Sequence, residues 1–226
     1  GEARRLQMDA RDHLRRAQEA IIARAPVICA TAAGADADLL KDQRFDVLVL
    51  DEATQAPDPI ALVAIAHARR VILAGDPEQL PPTILDPRAE SGGLGLTLFE
   101  RLARTTPEAS RMLTTQYRMH ADLMAFPSAT RYEGRLEAAP EVAARTVEDL
   151  GVRPDLSRPT PLVLVDTAGK GWEDQADETG SWFNPSQAAR TVAEVERLLS
   201  RGLAPEAISV ITPYNAQRAL LRAALP

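Results

Sequence analysis

Five short, unbroken apolar runs constrain this chain more than any other feature: Val27–Ala30, Val47–Leu50, Val71–Ala74, Leu162–Val165 and Ile208–Ile211. A run without polar alternation suits a strand buried on both faces, the condition of a parallel sheet. Helical candidates lie between them, at Pro59–His67, Leu96–Arg104, His120–Arg131, Pro185–Arg201 and Asn215–Leu225. Strands alternating with helices predict an α/β fold whose ligands bind at the carboxyl ends of the strands. Ahead of the first run, Leu6, Ala10, Leu14, Ala17 and Ile21 place one apolar stripe on a long amphipathic helix over residues 2–24, ended by Pro26. The stretch Pro140–Pro161, rich in Pro and charge, is the expected linker.

The chain has 226 residues, enough for one large domain or two small ones. Its single cysteine, Cys29, excludes an internal disulfide framework and cysteine-rich zinc sites. No run approaches the roughly 18 apolar residues of a membrane helix, and the opening residues show no apolar signal region, so no membrane partner and a cytoplasmic setting are expected. The net charge of −6 argues against coating nucleic acid nonspecifically, although a local basic groove would be hidden in that total. His13, His67 and His120 lack metal-ligand spacing.

Three loops carry chemistry. The strand Val47–Leu50 runs straight into Asp51-Glu52-Ala53-Thr54-Gln55, and a strand end can turn both carboxylates toward one crevice, as a Mg²⁺-nucleotide site requires. Alone, such a pair also suits a helix cap or solvated turn. The strand Val71–Ala74 ends in Gly75-Asp76-Pro77-Glu78-Gln79-Leu80-Pro81-Pro82-Thr83, where Gly75 permits close backbone approach and the prolines stiffen the loop. If the two strands are neighbours in one sheet, their acidic loops share an edge. A third short strand leads to Gln116-Tyr117-Arg118-Met119-His120, where Arg118 suits either charge on a transferring phosphoryl group or a surface ion pair.

In this order and spacing, DEATQ, GDPEQLPPT and QYRMH resemble motifs of superfamily 1 helicases, most closely the branch of the nonsense-mediated-decay helicase and the immunoglobulin mu-binding helicase. Val27–Ala35 and Val210–Gln217 resemble nucleic-acid-contacting motifs of that branch. The resemblance implies RecA-like P-loop NTPase parallel sheets in two incomplete lobes. Residues 1–24 would be a stalk helix, 25–157 the later part of the first lobe and 158–226 the beginning of the second.

It further implies that Asp51 holds Mg²⁺, usually through water, and that Glu52 positions or deprotonates the water attacking ATP. Gln79 would sense the γ-phosphate, with Gly75 and Asp76 shaping its loop. Arg118 would be the arginine finger, with Gln116 and Tyr117 beside the nucleotide. Thr31, Thr212 and Tyr214 would face single-stranded DNA or RNA, and the parent would be a monomeric motor translocating 5′ to 3′. Gln187 stands where the family pattern carries an acidic residue.

Neither Lys41 nor Lys170 sits in the G-x-x-x-x-G-K-[ST] pattern that cradles phosphates. In the resembled family that loop lies upstream and a further arginine motif downstream, so this chain is expected to be the centre of a motor and inactive alone. The rival expectation is a noncatalytic nucleic-acid-binding or protein-interaction module. The Gly169–Gly180 segment is expected as a mobile surface loop, with Trp172 and Trp182 either anchoring it or stacking on bases.

Overall fold

The computed structural model describes residues 2–225, in two compact units, residues 2–112 and 113–225. The first unit opens with helix α1 (Glu2–Arg24), as the apolar spacing predicts. Its stripe residues Leu6, Leu14 and Ile21 are exposed. Strand β1 (Phe45–Leu50), helix α2 (Asp58–Ile65) and strand β2 (Ala68–Leu73) follow. β1 and β2 pair in parallel with Leu50 opposite Leu73, so α2 is the crossover of a βαβ unit. Beyond β2, a single turn α3 (Pro87–Ala89) runs into a π-helical turn at Glu90–Leu94, and helix α4 (Leu98–Thr105) closes the unit.

The core of this unit is Leu50, Ala53 and Ala61, with Ile65, Leu73 and Phe99 packed around it. That packing covers one face of the sheet. Leu48, Leu50, Val71 and Leu73 turn inward, while Val47, Val49 and Ile72 on the opposite face are exposed. The expectation of strands buried on both faces therefore fails here, because no described element covers that second face. Asp58 joins α2 to α4, accepting from Leu98 N at 2.7 Å and pairing with Arg101.

The second unit holds a parallel pair, β3 (Thr115–Gln116) and β4 (Glu137–Ala138), flanking helix α5 (Ala121–Arg131). The short helix α6 (Pro140–Ala143) follows. An antiparallel hairpin, β5 (Gln175–Ala176) and β6 (Trp182–Phe183), then leads into helices α7 (Pro185–Ser200) and α8 (Asn215–Ala224). The hairpin takes up the later part of the Gly169–Gly180 segment expected as a mobile surface loop. Asp177 ties its turn, accepting from Thr179 N at 2.8 Å, Thr179 Oγ1 at 2.7 Å and Ser181 N at 2.9 Å. The Thr179 hydroxyl first, then the Ser181 N–H, holds the Asp177 carboxyl below its usual range.

Three expected strands do not form. Val27–Ala30, Leu162–Val165 and Ile208–Ile211 lie outside every ladder among the described residues, with Leu164 90% and Ile211 93% exposed. Apolar character favours a strand only where a neighbour supplies hydrogen bonds, and no described segment does so.

The expected linker is no loose tether. Asp155 pairs with Arg197 at 2.6 Å and Arg201 at 3.2 Å, and Arg158 pairs with Glu194, clamping this stretch to α7. Arg158 first, with Arg197 adding and burial opposing, holds the Glu194 carboxyl at about 2.

Candidate functional site

In the first unit, the parallel register brings the first two acidic loops to one edge. Asp51 follows Leu50 directly, and the ladder continues past both strands: Ala74 N donates to Leu50 O at 2.9 Å and Ala53 N donates to Ala74 O at 2.8 Å. Asp51, Glu52, Gly75, Asp76 and Gln79 thus gather at the carboxyl end of β1 and β2, where an open α/β sheet binds its ligand.

Glu52 has φ 52° and ψ 39°, the left-handed region, and is one of two non-glycine residues with positive φ among those described. A long side chain in that region is costly, and such strain concentrates at functional sites. The Glu52 N–H donates to Asp51 Oδ1 at 3.0 Å, and Gln55 Nε2 donates to Glu52 Oε2 at 3.0 Å. Both carboxylates remain exposed.

Gly75 is required by close approach. A Cβ there would stand 3.0 Å from Thr54 N and 3.1 Å and 3.2 Å from the Thr54 side chain. Thr54, 2% exposed, is the floor under that loop. Asp76 organises the remainder, accepting from Glu78 N at 3.0 Å and from Gln79 Nε2 at 2.8 Å. Thr31, also in the first unit, accepts from Gly34 N at 3.0 Å through the hydroxyl expected to face a strand of nucleic acid.

In the second unit, Gln116 is the brace of the third loop. Its Oε1 accepts from Arg118 N at 2.8 Å and Met119 N at 2.7 Å, and its Nε2 donates to Met119 O at 2.7 Å. Tyr117 and Arg118 project from this turn, both exposed. His120 caps α5, with Nδ1 accepting from Asp122 N at 3.0 Å. Thr212 and Tyr214 lie elsewhere in this unit, beside a cavity of about 340 Å³ that Trp182 and Phe183 also line.

A family model described as AAA domain matches residues 94–226, and a second AAA domain model matches residues 1–87. Among curated relatives, DNA-binding protein SMUBP-2 of Mus musculus is 38% identical over 226 residues, 95% of this chain and 23% of that protein. DNA polymerase alpha-associated DNA helicase A of Schizosaccharomyces pombe is 34% identical over 95% or more of the chain (97%) and 34% of its own length. ATP-dependent helicase NAM7 of Saccharomyces cerevisiae is 36% identical over 92% of the chain and 21% of its own length. The chain belongs to the AAA domain family, in its superfamily 1 helicase branch. It spans between a fifth and about a third of these helicase-branch relatives.

In this chain, the acidic edge falls within the AAA segment matched at residues 1–87 and the Gln116–His120 loop within the one matched at residues 94–226. Three supporting residues carry no signal in the sequence pattern. Gln55 holds one oxygen of Glu52, Thr54 sets the Gly75 contact, and Gln217 is buried against Asn184. Thr54 and Gln55 lie inside DEATQ and Gln217 inside Val210–Gln217, and that membership is the one clue available beforehand. Among the described residues, no helix is long and apolar enough to cross a membrane.

Proposed function

We propose that this chain supplies the hydrolytic edge and part of the nucleic-acid surface of an ATP-dependent helicase moving 5′ to 3′ on single-stranded DNA or RNA, in a cytoplasmic setting and as a monomer. The observation that carries the proposal is the shared carboxyl edge of β1 and β2, which collects Asp51, Glu52, Asp76 and Gln79.

The donor chemistry fits a Mg²⁺ site. Asp51 is an exposed carboxylate with one oxygen fixed by the Glu52 N–H, and Mg²⁺ binds through one or two carboxylates plus waters and phosphates. Bound there, the ion supplies neutralising charge to the phosphates. Glu52, with Oε2 held by Gln55, is the group that orients the attacking water. Gln79, held by Asp76, would respond to the γ-phosphate, and Gly75 lets its loop lie close. Arg118 is the arginine finger of this reading, acting on charge that develops during transfer. Gln116 fixes its turn, and Tyr117 offers a ring beside the nucleotide. Thr31, Thr212 and Tyr214 form the contacts to the strand. The lobe boundary near residue 157 belongs to the same proposal.

The test is ATP hydrolysis by the intact parent with and without single-stranded nucleic acid, alongside strand displacement from duplexes with 5′ or 3′ overhangs. Stimulated hydrolysis and displacement from the 5′ overhang are expected, with no turnover by the 226-residue chain alone. Hydrolysis indifferent to nucleic acid contradicts the proposal, and no hydrolysis in the parent contradicts it in favour of a noncatalytic module.

A further inference from the structure

The cavity of the second unit lies between the β5–β6 hairpin and the segment entering α8. Its volume of about 340 Å³ is at the small end of the roughly 300–1,000 Å³ typical of small-molecule pockets. Trp182 and Tyr214 line it at 49% and 48% exposure, so half of each side chain stays open to a ligand.

The two segments that carry these rings are joined by buried amides. Asn184, two residues after Trp182, donates its N–H to Gln217 Oε1 at 2.7 Å, and Gln217 Nε2 donates back to Asn184 O at 3.4 Å. Gln217 lies on α8, three residues after Tyr214, and both amide residues are buried, Asn184 to 2%. A third cross-link runs from Ala216 N to Ser181 Oγ at 3.1 Å. Such bonds lower the cost of ordering the two segments on binding.

The lining holds one carboxylate and no cationic side chain. Its one carboxylate, Asp174, accepts from Asn184 Nδ2 at 2.9 Å, and position 187 carries the uncharged Gln187. Flat apolar rings with no cation beside them match a nucleobase, whereas a phosphate would need cationic side chains.

We propose that Trp182 and Tyr214 form a nucleobase-stacking subsite for single-stranded nucleic acid, locked in place by the Asn184–Gln217 pair. This rests on the nucleic-acid function proposed above and deepens it, adding base stacking by the hairpin residue Trp182 to strand contact by Thr212 and Tyr214.

Fluorescence anisotropy of the 226-residue chain with a labelled single-stranded oligonucleotide, and with an abasic strand of equal length and charge, separates stacking from phosphate contact. The base-bearing strand should bind roughly 5- to 150-fold more tightly, the range expected of one stacked base. Trp182→Ala should remove that preference while leaving abasic affinity and its salt dependence unchanged, and Trp182→Phe should keep most of it. Trp182→Leu, which retains apolar bulk without a ring, should behave as Trp182→Ala and carries the test if the alanine variant does not fold. A ring-less variant that still prefers the base-bearing strand, or that weakens both strands alike, overturns the subsite. Equal wild-type affinity for the two strands overturns it as well. Failure of the wild-type chain to bind either strand is a different outcome, since it also removes the nucleic-acid function on which the subsite rests.

Discussion

The two edges carrying the candidate residues are held by different means. In the first unit, Asp51 and Asp76 extend from a parallel backbone ladder, and the loop after β2 is seated by a glycine pressed against Thr54. In the second unit, β3 and β4 have only two residues each, and the amide of Gln116 orders the turn bearing Arg118. Another amide, that of Gln217, joins the Trp182 strand to α8. A ladder spreads positioning over many backbone groups, whereas an amide brace concentrates it in one side chain. The second edge should therefore be the more sensitive to single substitutions away from the reacting groups.

The largest expected effect tests that brace through the residue it serves. In the parent, Arg118→Ala should lower turnover by about 10³-fold while changing nucleotide affinity far less, because a finger acts on charge present only in transfer. Gln116→Ala should reproduce part of this loss, up to about 10²-fold, by releasing the turn. Full turnover in Gln116→Ala, measured beside Arg118→Ala, would show that the backbone alone holds the loop.

The first edge should break at its one point of close packing. Gly75→Ala sets a Cβ against the Thr54 backbone nitrogen, which cannot move aside without disturbing the ladder, and should cost about 1–3 kcal/mol in urea unfolding. Gly92→Ala is the control, since a Cβ there meets nothing within 4 Å. Equal stability of the two variants would remove the argument for Gly75.

Acid should loosen the second unit through a smaller effect. The Glu194 carboxyl is lowered from 4.5 to about 2, so its stabilisation is complete above 4.5 and is lost as the pH falls toward 2. With solvent screening, about 1–2 kcal/mol is expected from this group. Urea unfolding at pH 6 and at pH 2.5 measures it, and Glu194→Gln should show a correspondingly smaller acid loss.

The same contrast explains what could be read from the sequence. Helices α7 and α8 lie within a residue of their expected ends, because Asn184 followed by Pro185 marks one start and apolar periodicity marks both bodies. β2 begins three residues earlier than its apolar run, since the charges of Arg69 and Arg70 conceal a stretch paired from Phe45 onward. The runs at residues 27–30, 162–165 and 208–211 mislead because composition reports apolar character and not the presence of a partner strand. At the site, the shared edge of Asp51 and Asp76 was legible from two apolar runs ending in acidic loops. The braces Gln55, Gln116 and Gln217 have no period, and the left-handed backbone of Glu52 has no marker in residue type.

The most direct test of the hydrolytic edge is Glu52→Gln in the intact parent, with nucleotide affinity and single-turnover γ-phosphate cleavage measured at saturating single-stranded nucleic acid. The amide keeps the size of the side chain and removes the charge proposed to orient water. Affinity should stay within several-fold of wild type while cleavage falls by about 10²-fold or more. Cleavage at the wild-type rate, or a fall in affinity equal to the fall in cleavage, would contradict the assignment of this edge to hydrolysis.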